Sequence, residues 1–317
     1  MSFHFDPVVL LQQLINGVSR GSVYALIALG YTMVYGIIEL INFAHGDVFM
    51  LGTFAAITFL SFFGIDSNHP AFSDPVQVIL VLGLTFVVVM ALLGTLNVVI
   101  ERLAYRPLRH APRLTPLISA IGVSYILQNI GQIWKGPGVI VFPDVFQDTI
   151  YKIPMGDHFL LIRSKAILTV VISVGIMILL TQFVRRTKLG KAMRATAQDQ
   201  MTSQLMGINV NTTIALTFFI GAALAGAGAI LYGMFIRGVQ FTLGYQAGLR
   251  AFTAAVLGGI GNIPGAVLGG FLIGIIEALS DYFFSVQWTQ AIVFIVLILI
   301  LVFRPSGLLG QRVAEKV

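Results

Sequence analysis

The chain has 317 residues, of which 57% are hydrophobic and only 10% charged, with a net charge of +6 and no cysteine. Soluble domains carry about 25% charged residues, so this composition excludes a water-soluble enzyme and a disordered chain alike. The missing cysteines exclude a disulfide framework, thiolate metal sites and cysteine nucleophiles.

A helix needs about 20 apolar residues to cross a bilayer. The first apolar run, 8–38, is too long for one span. Its opening part, up to Asn16, is read as interfacial and 17–38 as the crossing. The first 16 residues contain no Lys or Arg, so a cleaved signal peptide is not expected. Further runs follow at 48–63, 76–100, 114–134, 166–184 and 212–235. The stretches 247–260 and 266–284 flank a Gly/Pro turn, and 291–303 comes last. None alternates as a barrel strand would. The expected fold is an all-α polytopic membrane helical bundle, one transmembrane domain over 1–317 with eight or nine helices.

Arginine and lysine gather on the cytoplasmic side of membrane proteins. Arg102, Arg106, Arg109 and Arg113 lie in one connection, and Arg185, Arg186, Lys188, Lys191 and Arg194 in another. Arg304, Arg312 and Lys316 close the chain. All three regions are therefore placed in the cytoplasm, and the net charge is a topology signal rather than a nucleic-acid one. The loops at 64–75 and 285–290 hold no basic residue and are placed outside, as is a structured cap over 135–163. Nine crossings put the N-terminus outside and the C-terminus inside.

A weak internal repeat relates the two ends. Ala25, Leu26, Gly30, Phe43, Gly46, Leu51, Phe54 and Ala56 align at one constant offset with Ala223, Leu224, Gly228, Phe241, Gly244, Leu249, Phe252 and Ala254. Five crossings separate the copies, so a true repeat is inverted; shared Gly/Ala/Phe composition is the alternative. Gly261, Gly265 and Gly269 recur every four residues, and Gly17/Gly21 and Gly270/Gly274 form further pairs. Small residues at this spacing let a second helix approach closely.

Catalytic chemistry is missing. No G-x-x-x-x-G-K-[ST] phosphate loop occurs, so ATP hydrolysis falls to other subunits. Five scattered histidines give no metal cluster, and no cofactor is expected. Asp47, Glu101, Glu277 and Asp281 fall near the ends of apolar runs and are read as solvated there. With no ionisable group left for the bilayer middle, a proton- or sodium-driven carrier is disfavoured. Asn42, Phe43, His45 and Gly46 mark a possible translocation path; the alternative is that Asn42 or Asp47 caps a helix. Arg237 and Arg250 flank an external loop and face either a binding protein or lipid headgroups.

The cytoplasmic stretch 187–211 is polar and helix-favouring, closed by Gly207. Its residues Arg194, Ala195, Ala197, Asp199, Gln204, Gly207, Ile208 and Asn209 resemble the coupling motif of ABC importer permeases, with Thr196-Ala197-Gln198-Asp199 where many carry Glu-Ala-Ala. The run NGVSRGSVYALIALGYTMVYGIIELINFAHGDVFMLG over 16–52 resembles the branched-chain amino acid permease family more closely. ERLAYRPLR (101–109), ISAIGVSYILQN (118–129), AFTAAVLGGIGNIPGAVLGG (251–270) and RPSGLLG (304–310) resemble it too. That resemblance implies a type II ABC importer fold with inverted halves in a bacterial inner membrane. It also implies a second related permease subunit forming a heterodimer, two ATP-binding cassette subunits and a periplasmic substrate-binding protein. Substrates would be leucine, isoleucine, valine or other neutral amino acids. Urea or short-chain amide permeases of the same family are the nearest alternative, and a self-sufficient channel or secondary carrier the more distant one.

Overall fold

The computed structural model describes residues 6–66, 74–109, 111–112, 114–155 and 158–310. Arg113, Arg312, Lys316 and most of the loop read as external at 64–75 lie outside the described residues. Six helices build the first part: α1 (Pro7–Ile38), α2 (Ala44–Ser61), α3 (Pro75–Ile100), α4 (Leu114–Lys135), α5 (Ser164–Arg186) and the short α6 (Lys188–Gln198). Then come α7 (Gln200–Leu205), α8 (Val210–Ile236), α9 (Leu243–Gly258), α10 (Ile263–Phe283) and α11 (Val286–Phe303). Eight of the described helices are long and apolar enough to cross a membrane.

The expected break near Asn16 is absent. Asp6 accepts hydrogen bonds from Val8 N at 2.9 Å and Val9 N at 3.3 Å, Pro7 opens the helix, and α1 then runs unbroken for 32 residues. At 1.5 Å per residue that is about 48 Å, longer than a bilayer core is thick. The surplus meets the cap. Gln12 Nε2 donates to Leu161 O at 2.9 Å, and Gln12 Oε1 accepts from Leu161 N at 2.8 Å, so a side-chain amide mimics a strand neighbour.

Four short strands shape that cap. β2 (Ile150–Met155) and β3 (His158–Arg163) form an antiparallel hairpin. β1 (Ile140–Val141) pairs with β4 (Gly238–Val239), tying the loop after α4 to the end of α8. Arg237 reaches Asp144 at 2.7 Å, and Lys165 pairs with the same carboxylate. Arg237 is thus engaged by its own chain.

The centre of the bundle is α1, α2 and α8, most of whose residues are buried, with α9 and half of α10. Glycines let these backbones touch. Gly228 of α8 lies beside Leu26 and Ile27, while Gly221 lies beside Gly30 and Val34, so α1 and α8 run antiparallel. The residue offset that relates the sequence copies carries Ile38 onto Ile236 and 44–61 onto 242–259, within one residue of α9. The α1–α2 and α8–α9 pairs therefore agree in order and in mutual inversion, and α2 and α9 in length to within two residues.

Gly261 does not share the helix face assigned to it. It sits at φ +89° in the turn between α9 and α10, with Gly259 at φ +104°, conformations that only glycine adopts cheaply. Asn262 caps α10 by accepting from Gly265 N at 3.1 Å, and Pro264 opens the helix. The tail docks on this turn: Leu308 N donates to Leu257 O at 2.8 Å and Leu309 N to Gly258 O at 3.0 Å. These bonds satisfy carbonyls that the end of α9 would otherwise leave open.

Candidate functional site

α2 starts inside the bundle. A Cβ on Gly30 would overlap the His45 ring, so the first turn of α2 is level with a point eight residues before the end of α1. The chain turns back along α1 for about 12 Å before α2 begins. α9 starts at the same level, because Gly46 and Gly244 interlock and a Cβ on either would run into the other's backbone. The copies of one repeated glycine thus touch where the two halves cross.

Polar side chains collect at this crossing. Asn42 Oδ1 accepts from Tyr105 Oη at 2.8 Å. Asp47 Oδ2 accepts from Ser124 Oγ at 2.5 Å, and Gln128 Nε2 donates to Ser124 Oγ at 3.2 Å. His45, 1% exposed, stacks edge-on against Tyr31 with centroids 4.7 Å apart. Phe43 packs against Phe252 across the crossing. Neither Asn42 nor Asp47 caps α2, whose N-cap residue Phe43 makes no side-chain cap bond. Both His45 ring nitrogens, Asn42 Nδ2 and Asp47 Oδ1 are buried without a protein partner. Leaving such atoms unpaired in a dry interior is costly.

Asp47 is 1% exposed and Glu277 2%, and Glu101 is likewise buried, which overturns their reading as solvated interface groups. Glu277 Oε2 accepts from Tyr24 Oη at 2.9 Å, and Arg250 pairs with Glu277. Arg20 meets Asp281 at 2.7 Å, and Thr289 Oγ1 donates to Asp281 at 2.6 Å. Arg109 pairs with Glu101 and donates to Asn211 Oδ1 at 2.8 Å. Arg250 is therefore an internal partner, not an external contact. The argument against an ion-driven carrier from missing buried charge fails with these pairs. A signal was available: Arg20 and Tyr24 are four apart on α1, Glu277 and Asp281 four apart on α10, and each pair shares its helix face with a Gly pair. Among the described residues no group of three metal-ligating side chains forms.

At the opposite end of α1 lies the polar stretch 187–211, which folds as an elbow rather than one helix. Asp199 breaks it, ending α6 and capping α7 by accepting from Met201 N at 2.8 Å and Thr202 N at 3.1 Å. Ile208 N donates to Ser203 O and Gly207 N to Gln204 O, both at 3.0 Å, with Gly207 at φ +82°. That is the Schellman closure of α7. Asn209 then caps α8, accepting from Thr212 N at 3.1 Å. Arg194 donates to Val184 O, folding α6 back on the end of α5. Gln200 Nε2 donates to Ile37 O at 3.2 Å, anchoring α7 to α1. Ala197 and Gln204 are exposed, Ala195 and Ile208 half-buried. The apolar surface is a cluster in which Met201, at 75% exposed, joins Leu205 at 81% and Met206 at 78%.

Residues 13–301 match the family model of the branched-chain amino acid transport system permease component. The chain belongs to that family. It is 46% identical over 310 residues to the high-affinity branched-chain amino acid transport system permease protein BraD of Pseudomonas aeruginosa, covering 97% of this chain and 98% of the relative. Identity to the corresponding LivH permease of Escherichia coli is 42% over 312 residues, 97% of each chain. The fructose import permease FrcC of Rhizobium meliloti is 26% identical over 195 residues, 59% of this chain and 54% of the relative. As a branched-chain permease the chain is a transport component, a multi-pass membrane protein working with ABC partner subunits.

In a family permease, the glycine spacing has a concrete counterpart. Gly265 and Gly269 of α10 face Gly258 and Ala254 of α9, so close that an added Cβ would overlap carbonyl oxygens. Gly270 and Gly274 meet Ala25, Gly17 and Gly21 on α1 in the same way.

Proposed function

We propose that this chain is the membrane-spanning subunit of an ATP-driven importer for leucine, isoleucine, valine and related neutral amino acids in a bacterial inner membrane. It pairs with a second, related permease, receives substrate from a periplasmic binding protein and couples to two ATP-binding cassette subunits. Similarity over nearly the full length to permeases named for branched-chain amino acids carries the substrate class. The elbow carries the mechanism. Three exposed apolar side chains on a capped, single-turn-scale helix make a compact knob, while Arg194, Gln200 and Asp199 brace it against α5, α1 and itself.

Force applied to that knob reaches the crossing by a short route. Gln200 holds the end of α1, and the α1–α2 connection leads straight to Asn42, His45 and Gly46. Movement of the elbow would tilt α1 against α8 and shift the polar crossing, which serves as the path for a zwitterion shed of water. The Gly207→Val variant tests the coupling. Left-handed backbone costs a β-branched residue about 1–2 kcal/mol, enough to unwind the closure of α7. Co-purification of the cassette subunits and labelled-leucine uptake should both fall while membrane insertion is unchanged. Unchanged recovery and uptake would reject the docking role. Uptake of urea or acetamide, but not leucine, by the reconstituted assembly would overturn the substrate.

A further inference from the structure

Beside the elbow, a cleft of about 230 Å3 opens between the end of α3 and the start of α8. Arg102 and Arg106 line one wall and Asn209, Asn211 and Thr212 the other. Most arginines with a described role are paired: Arg20 with Asp281, Arg109 with Glu101, Arg237 with Asp144 and Arg250 with Glu277. Arg102 and Arg106 are exposed and make no ion pair or side-chain hydrogen bond among the described residues. The carboxylate in their own turn, Glu101, is buried and taken by Arg109. Arg109 also engages Asn211 Oδ1.

The cleft's positive charge is therefore carried by the arginine wall. Arg102 and Arg106 share the cleft with the amino end of a 27-residue helix, whose dipole favours an anion. Its remaining walls are apolar, Val98, Ala215 and Leu216, and α3 runs back from it with Val99 and Leu92 exposed. An anion held here would have its polar part between the arginines and a hydrocarbon part along α3. A free phosphate uses only the first half of that surface, and a protein carboxylate would leave the apolar strip uncovered. We propose that this cleft binds the phosphodiester headgroup of an anionic phospholipid, with its acyl chains lying along α3. Such a lipid lies against Asn209, the residue that joins the elbow to α8, and so stiffens the elbow's second anchor.

Native mass spectrometry of the intact, delipidated transporter, titrated with phosphatidylglycerol, phosphatidylcholine or inorganic phosphate, tests this. Phosphatidylglycerol should bind at one high-affinity site that phosphatidylcholine does not fill. Each basic side chain beside an anionic headgroup contributes about a factor of five, so Arg102→Gln with Arg106→Gln should weaken that site about 25-fold. The paired Arg102→Lys and Arg106→Lys variant, which keeps charge, should recover most of it and guards against misfolding. Arg185→Gln with Arg186→Gln removes two exposed charges from the same end of the bundle without touching the cleft, and should leave the site intact. Equal weakening by that control would overturn the site in favour of diffuse surface charge. Phosphate binding as tight as phosphatidylglycerol would overturn the lipid. Loss of cassette subunits with lipid binding unchanged would reassign the arginines to a protein contact.

Discussion

The central helices α1, α2, α8, α9 and α10 and the outer helices α3, α4, α5 and α11 are built on different principles. The outer four are Leu/Ile/Val-rich, and most of their apolar surface is exposed. Gly83, Gly122 and Gly175 on them face open space. Many central glycines, among them Gly17, Gly21, Gly46, Gly265, Gly269 and Gly274, instead meet backbone of a neighbouring helix. Hydrocarbon gives helices no hydrophobic reason to associate, so cohesion at the centre comes from close backbone contact and from polar pairs. The outer helices need only to be apolar and long.

The largest test of that contrast is Gly46→Leu. The added side chain would enter the backbone of Gly244 and force α2 off α9, so we expect no assembled, transporting complex by size-exclusion chromatography and leucine uptake. Gly122→Leu, on an outer helix, should assemble as wild type does. If both variants behave alike, the interlock at the crossing is not what holds the centre together.

Next in size is the buried pair. Glu277→Ala strands Arg250, and breaking one side of a buried ion pair costs about 3–5 kcal/mol. The thermal midpoint of the purified complex should drop sharply. Replacing Glu277 and Arg250 together by leucine should restore most of the loss, since an apolar pair avoids both desolvation penalties. A double variant as unstable as the single would show that the pair does more than neutralise itself.

The smallest effect has the opposite sign. Gly83→Ala and Gly122→Ala should raise stability, each by about 0.5–1 kcal/mol, because a helical glycine gives up more backbone freedom than alanine. Gly265→Ala, by contrast, should destabilise, because its methyl meets the Gly258 carbonyl. A Gly265→Ala variant as stable as wild type would remove the distinction between central and outer glycines.

The spans were legible from the sequence because an apolar run long enough to cross a bilayer has few other fates, and α3 to α5, α8, α10 and α11 lie within a few residues of the runs. Gly207 was legible as a closure because turn chemistry is local. The offset between the two ends of the chain was visible too, although eight matches in an apolar sequence could not separate ancestry from composition. Tertiary structure decided the rest. Whether Asp47 and Glu277 meet water depends on where a helix starts relative to its neighbours, and nothing within ten residues of Asn42 reveals that the chain doubles back along α1 before α2 begins. Ion pairs such as Arg250 with Glu277 join groups far apart in sequence, so each partner alone looks like an interface charge. Gly261 kept the four-residue spacing yet left the helix, because spacing records which residues are small while φ records what the backbone does with them. Side-chain type and periodicity are local properties written along the chain; burial and pairing are properties of the packed bundle.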